Sequence, residues 1–244
     1  MHEELRALLP LLNNPRRETL AGREFHSGDI HGRPVVLVLS GIGKVAAATT
    51  ATLLVQRFDA GRVVLTGVAG GLGSGVRVGD VVVAHQLIQH DMDASPLFPR
   101  FEIPLTGRSR FHTDAALADA LGAAARRCLR RAGDLIGAAH LAGLGIARPS
   151  LHRGLIASGD RFVSSANESA ALRTALPDVL AVEMEGAALA QVCTDFGRPF
   201  GVLRSISDRA DDAAHVDFTR FIEDVASVYT RAIVSDWLAG EASG

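Results

Sequence analysis

Val182-Glu183-Met184-Glu185-Gly186-Ala187-Ala188-Leu189-Ala190 is the stretch from which the fold reads outward. An apolar run, Val179 to Val182, meets two carboxylates flanking a methionine. A small-residue segment of helical composition, Gly186 to Phe196, follows. That order is a strand passing into a helix at an acid pair. The next apolar strand, Pro199 to Ser205, leads into Ile206-Ser207-Asp208. Acids at the carboxyl ends of neighbouring strands lie where open α/β sheets build their sites. Such groups hold sugar hydroxyls or hand a proton to a leaving group.

The same alternation runs along the chain. Pro34 to Ser40 reads as a strand buried on both faces, followed by an Ala/Leu-rich helix from Lys44 to Phe58. Arg62 to Thr66 and Asp80 to His85 read as further strands, Ala115 to Arg131 as a helix with a basic far end, and Leu155 to Ser158 as another strand. A long helix, Phe218 to Leu238, closes the chain. The pattern predicts an α/β fold, a mixed and mostly parallel central sheet flanked by helices, in one domain over residues 1–244. Gln89 to Gly107 interrupts it with Pro96, Pro99 and Pro104. An irregular stretch of that length, carrying Leu97, Phe98, Phe101 and Ile103, is expected to meet a two-fold partner.

Composition narrows the function. Among 244 residues, 48% are apolar and the formal net charge is −2, so neither nucleic acid nor an acidic membrane is an expected partner. Cys128 and Cys193 match neither a zinc spacing nor a redox motif and read as buried, reduced thiols. No metal or cofactor is expected. No apolar run reaches bilayer length and the start does not read as a signal peptide, so a cytoplasmic location is expected.

Each motif has a plain reading beside the functional one. Gly41-Ile42-Gly43-Lys44 is a strand-to-helix turn, or a place where backbone meets ligand; it lacks P-loop spacing and the third glycine of a dinucleotide fingerprint. Thr66-Gly67-Val68-Ala69-Gly70-Gly71-Leu72 is a turn, or a flat backbone floor under a ligand. Phe162, in Ser158-Gly159-Asp160-Arg161-Phe162-Val163, is core or an aromatic wall. Glu183 and Glu185 complement a helix dipole or bind ligand. Asp208 is a helix cap or an acid.

Three of these segments carry a resemblance: Ser40 to Ala48 (Ser-Gly-Ile-Gly-Lys-Val-Ala-Ala-Ala), Val182 to Ala190, and Ser205 to Asp208. Together they resemble the nucleoside phosphorylase and nucleosidase superfamily, and more narrowly the 5′-methylthioadenosine/S-adenosylhomocysteine nucleosidases. The resemblance implies a hydrolase that releases adenine from an adenosine-type nucleoside. It implies that Asp208 protonates the adenine N7, with Ser207 and Arg204 orienting its loop. Glu185 would accept both ribose hydroxyls, with Met184 against the sugar and Glu183 in support. Ala69 and Gly70 would form the floor. Phe162 would stack on adenine and the Val163 backbone would read its edge. Ile42 and Phe218 would border the 5′ substituent, with Leu97 or Pro99 of the partner subunit of a homodimer reaching in. Glu4, in Met1-His2-Glu3-Glu4-Leu5, would be the base for the attacking water.

The chain departs from the pattern in two places. Val68 stands where many relatives carry serine. The family's first strand, which precedes the Glu4 motif, is absent before residue 1. Glu4 is therefore expected to be poorly anchored and the chain weakly active. Three alternatives stay open: a phosphate-dependent phosphorylase drawing on Arg77, Arg100 or Arg108, a futalosine-type hydrolase, and a weakly active nucleoside-binding paralogue.

Overall fold

The computed structural model describes residues 1–210 and 218–240. The chain begins with α1 (His2–Leu8) and a 3₁₀ turn, Leu9–Leu11. A three-stranded antiparallel meander follows: β1 (Asn13–Leu20), β2 (Arg23–Ile30) and β3 (Arg33–Val38). After α2 (Lys44–Gln56) come β4 (Val63–Gly71), β5 (Val81–Gln89) and the short β6 (Arg110–His112). Then follow α3 (Ala115–Arg130), α4 (Ala138–Gly143), β7 (Leu151–Ser158) and α5 (Ala166–Ala175). The last third holds β8 (Val179–Glu183), α6 (Gly186–Asp195), β9 (Phe200–Asp208), α7 (Phe218–Phe221) and α8 (Ser227–Gly240).

The large sheet runs β6-β5-β7-β8-β4-β9, and β9 also pairs with β5. It therefore closes on itself, which the strand patterns alone did not show. It is mixed: β4 and β9, β5 and β7, and β7 and β8 are parallel, whereas β8 meets β4 antiparallel at only two pairs. Those two pairs, Gly70–Val182 and Gly71–Ala181, join strands at their carboxyl ends. In the same zone Ser158 pairs with Glu183 and Gly70 with Asp208. Register thus collects one serine, two acids and a glycine at one end of the sheet. Helices cover both sides: α3 and α8 share one apolar cluster, and α2 and α6 pack together over another.

Several expectations from sequence are corrected. Pro34 to Ser40 is not a strand buried on both faces; β3 ends at Val38, pairs only with β2 among the described residues, and is mostly half-buried. β1 and β2 gave no strand signal, because β1 (NNPRRETL) is an exposed edge strand whose proline and charges suit an edge. The glycine stretch from Thr66 to Gly71 is not a turn but the second half of β4. Likewise β9 continues to Asp208, so that acid ends a strand. The closing helix is interrupted by a π turn, Ile222–Ala226. Cys128 and Cys193 are free and buried, and burial pushes both thiols up to about 12.

Gly67 shows why β4 is built from small residues. A Cβ at this position would overlap the Arg204 guanidinium on the adjacent strand. Gly67→Ala should therefore displace a buried cation and destabilise the protein by about 3 kcal/mol or more. Urea unfolding measures this directly. Gly61→Ala, where a Cβ meets nothing within 4 Å, should change stability by no more than ~0.5 kcal/mol. Equal behaviour of the two variants would contradict the packing account.

Candidate active site

The site grows from the junction of β8 and α6. The first turn of a helix exposes N–H groups without helical partners. Here they are met by side chains from two strands. Glu183 accepts from the backbone N–H of Glu185 at 3.1 Å and of Gly186 at 2.9 Å. Ser158 Oγ accepts from Ala187 N–H at 2.7 Å and itself donates to Glu183 in a short bond. Glu183 is buried and its oxygens are fully engaged in the protein's own structure.

Glu185 turns the other way. Its Oε1 accepts from the Gly43 backbone N–H at 3.0 Å, and its Oε2 faces Arg204 Nη2 at 3.2 Å. Gly43 adopts φ +90°, and a Cβ there would press on Asp160 Oδ1 at 3.0 Å. The glycine turn after β3 thus delivers a backbone donor to the acid. Burial raises the Glu185 pKa above the ordinary value of 4.5, and the charge of Glu183 adds to the rise; Arg204 and the Gly43 N–H act against it.

Arg204, on β9, is 3% exposed. Its Nη2 bridges Glu183, in a short ion pair, and Glu185. Burial opposes its charge, but Glu183, Glu185 and Glu4 together hold its pKa above the ordinary value. Glu4 therefore belongs to the same electrostatic cluster. Its carboxylate is 3% exposed and accepts from Thr230 Oγ1 at 2.7 Å and from the Met1 ammonium at 2.8 Å. The expectation that Glu4 hangs from an unanchored terminus is corrected. α1 packs on α8, and a hydroxyl from α8 holds the acid.

Asp208 is 6% exposed at the end of β9. Its Oδ1 accepts from Ala210 N–H at 2.7 Å and its Oδ2 from Ser207 Oγ at 2.7 Å. Ser207 Oγ also lies 3.5 Å from the Ala69 carbonyl. A Cβ on Gly70 would stand 3.0 Å from Asp208 Oδ1, so the floor glycine leaves this acid its space.

The remaining candidates lie at varied depths. Ile42, 72% exposed, precedes Gly43. Met184 is half-buried between the two acids. Phe162 is 44% exposed, so it is not core, while Val163 is buried in a cluster with Leu72, Val182 and Ala210. Phe218 opens α7, which packs against β9. Their loops are tied together by residues that sequence reasoning missed. Asp160 accepts from Lys44 N–H at 2.7 Å, and Asp91 accepts from Lys44 Nζ at 2.7 Å and from Asp160 N–H at 2.9 Å. Asp160 and Lys44 stood inside motifs already singled out; Thr230 and Asp91 left no local signal. Of the arginines that could have suggested a phosphate site, Arg100 lies over Phe101 and 3.9 Å from Asp93, while Arg77 and Arg108 are exposed. Among the described residues no cluster of side chains fit to hold a metal is found.

Known proteins share this arrangement's chain. The model of the phosphorylase superfamily matches residues 1–236. A 5′-methylthioadenosine/S-adenosylhomocysteine nucleosidase of Bacillus thuringiensis (strain Al Hakam) is 36% identical over 234 residues, covering 96% of this chain and 94% of its own. The crystal structure of the nucleosidase of that name from Neisseria meningitidis, in complex with methylthio-immucillin-A, superposes with a TM-score of 0.85. It is 34% identical and covers 98% of this chain and 96% of the other. A futalosine hydrolase mutant of Helicobacter pylori strain 26695 superposes with a TM-score of 0.81 at 34% identity, covering 97% and 94%. By these likenesses the chain belongs to the phosphorylase superfamily and, within it, to the 5′-methylthioadenosine/S-adenosylhomocysteine nucleosidases.

Proposed function

We propose that this chain hydrolyses the N-glycosidic bond of 5′-methylthioadenosine and S-adenosylhomocysteine, releasing adenine and a 5-substituted ribose. The observation that carries the reading is the charge of the cluster. One buried guanidinium, Arg204, faces Glu183, Glu185 and Glu4. A phosphate would meet a cation already neutralised and a surplus of carboxylates. A sugar acquiring positive charge as its bond to adenine breaks would instead be stabilised. Water, with a carboxylate to take its proton, suits this site; phosphate does not.

In this reading Glu185 accepts the ribose hydroxyls with the support of Glu183, and Met184 lies against the sugar. Ala69 and Gly70 form the floor. Phe162 covers adenine while Val163 offers its backbone. Glu4 takes the proton from water. Asp208 delivers a proton to adenine. Its Oδ2 carries that proton when the Ser207 hydroxyl turns to donate to the Ala69 carbonyl, since a hydroxyl exchanges donor and acceptor roles by rotation. Ile42 and Phe218 border the 5′ group. Futalosine-type nucleosides remain a second substrate class, because a neighbour of equal identity carries that name.

The function is tested by adenine release from 5′-methylthioadenosine in phosphate-free buffer. Turnover there, undiminished relative to phosphate buffer, supports the hydrolase; dependence on phosphate would overturn it. Asp208→Asn and Glu4→Gln should each lower kcat by ~10²–10⁴-fold with little change in substrate affinity. Full activity in either variant would remove that residue from the chemistry.

Glu185 adds a pH test. Only its ionised form accepts two hydroxyl bonds at full strength. Because its pKa is raised, affinity for nucleoside should fall on acidification from a higher pH than 4.5, the ordinary glutamate value. For stability the sign is opposite: a raised carboxylate pKa penalises the charged form, so that contribution is lost as pH rises. Isothermal titration with a non-hydrolysable nucleoside over a descending pH series should show the acid limb, and Glu185→Gln should flatten it. An unchanged limb in the variant would assign it elsewhere.

The same reading includes a cytoplasmic homodimer. The segment between β5 and β6 exposes Leu97 at 84% and Leu105 at 90%, side chains that a partner would cover. Leu97→Asp should convert a dimer to a monomer in sedimentation analysis and lower affinity for nucleoside; a monomeric unmodified chain would contradict the assembly.

A further inference from the structure

α2 starts on a residue that cannot cap it. The first N–H groups of a helix need acceptors from outside it, and a side chain at the cap position ordinarily supplies one. Gly43 stands there and has no side chain to offer. The acceptor comes instead from the loop after β7: Asp160 Oδ1 accepts from the Lys44 N–H at 2.7 Å. The Asp160 N–H in turn donates to Asp91 Oδ2 at 2.9 Å, in the turn after β5. Asp91 Oδ1 then accepts from Lys44 Nζ at 2.7 Å. The three bonds close a ring, from Lys44 to Asp160 to Asp91 and back to Lys44.

An ion pair whose side chains are 17% and 30% exposed, as in Lys44 with Asp91, contributes little by itself. The ring differs because two of its bonds hold backbone N–H groups, one on each of two loops. Next to the Lys44 N–H is that of Gly43, which donates to Glu185 Oε1 at 3.0 Å. Close behind Asp160 in the chain come Phe162 and Val163. Gly43 and Asp160 also approach closely, since a Cβ on Gly43 would stand 3.0 Å from Asp160 Oδ1. The loop of Phe162 therefore cannot leave α2 without releasing the Lys44 N–H and freeing the turn that aims Gly43 at Glu185. Burial opposes the Asp91 charge, but the bonds from Lys44 and from the Asp160 N–H, with the charges of Lys44 and His90, hold its pKa below the ordinary 3.8. Asp91 thus stays ionised while Glu185, shifted the other way, titrates.

We propose that Lys44, Asp91 and Asp160 are positioning residues that couple two halves of the site: ordering the loop of Phe162 and Val163 fixes the direction of Glu185, and the reverse. For ligands the inference rests on the proposed function, in which adenine meets that loop and the ribose hydroxyls meet Glu185. Adenine and a free sugar then bind with mutual gain, because the first to bind orders what the second needs. The gain is equal in both directions, as linkage requires.

The coupling is tested in the whole chain by site-resolved amide exchange. Asp91 bonds to Lys44 and Asp160, not to Gly43. Asp91→Asn and Lys44→Met should nevertheless each speed exchange of the Gly43 amide by ~5-fold or more, relative to core amides where β4 pairs with β9. Arg161→Ala removes an exposed ion pair with Glu168 from the same loop and should leave the Gly43 amide unchanged. Faster exchange at Lys44 and Asp160 with none at Gly43 would reduce the ring to three separate bonds and overturn the proposal. Calorimetry adds the ligands. The affinity of the unaltered chain for adenine should rise about tenfold when 5-methylthioribose is saturating, and both ring variants should lose that gain. A gain that survives in the variants would overturn the proposal. Turnover separates positioning from chemistry: both variants should raise KM more than they lower kcat, and Lys44→Arg, which keeps the charge, should recover most of the loss. Equal falls in kcat and kcat/KM would contradict the positioning role. An unaltered chain that binds no adenine would overturn the proposed function and the ligand half of the inference, and the exchange result decides the ring by itself.

Discussion

A guanidinium sealed between carboxylates is the constraint on which the rest of the structure depends. Arg204 cannot sit in the interior as a lone charge, and Glu183 and Glu185 cannot lie side by side without it. The arrangement dictates sequence around it. β4 must carry glycine at position 67 to let the guanidinium pass. β7 must end in Ser158 and α6 must begin with free N–H groups, so that Glu183 has its full set of partners. Gly43 must reach across from the turn before α2 to hold the outer oxygen of Glu185. What results is a half-buried Glu185 carboxylate held in a fixed direction by Gly43 and Arg204.

The same cluster explains the choice of reaction. A binding pocket for an anion would keep its arginine available. Here the arginine serves the fold and the carboxylates dominate the site. The electrostatic field therefore favours a cationic sugar over an anionic nucleophile. Ser207 and Ala210 fix Asp208 at the strand end.

Much of this was legible in the sequence. The acid pair and Asp208 stand at strand ends because side chains there project beyond the sheet, and the apolar runs before them mark the strands. Closure of the sheet was not legible, because it depends on the short antiparallel pairings of β5 with β9 and of β4 with β8, which leave no pattern. β1 escaped notice because an edge strand needs no continuous apolar run, and the central β2 because its sequence, REFHSGDI, contains none. The anchoring of Glu4 was misjudged for a related reason. Thr230, which holds it, is 226 positions away, and no local spacing shows such a bond. Gly67 stood in a motif read as a turn, and only the arginine on the next strand gives it a reason.

The central claim is that water attacks the sugar in a site whose one buried cation is already neutralised. It is tested most directly by running 5′-methylthioadenosine turnover in ¹⁸O-labelled water with phosphate present, and examining the released sugar by mass spectrometry. The account predicts one ¹⁸O incorporated into the free 5-methylthioribose and no sugar phosphate. A 1-phosphorylated sugar as the main product would contradict it.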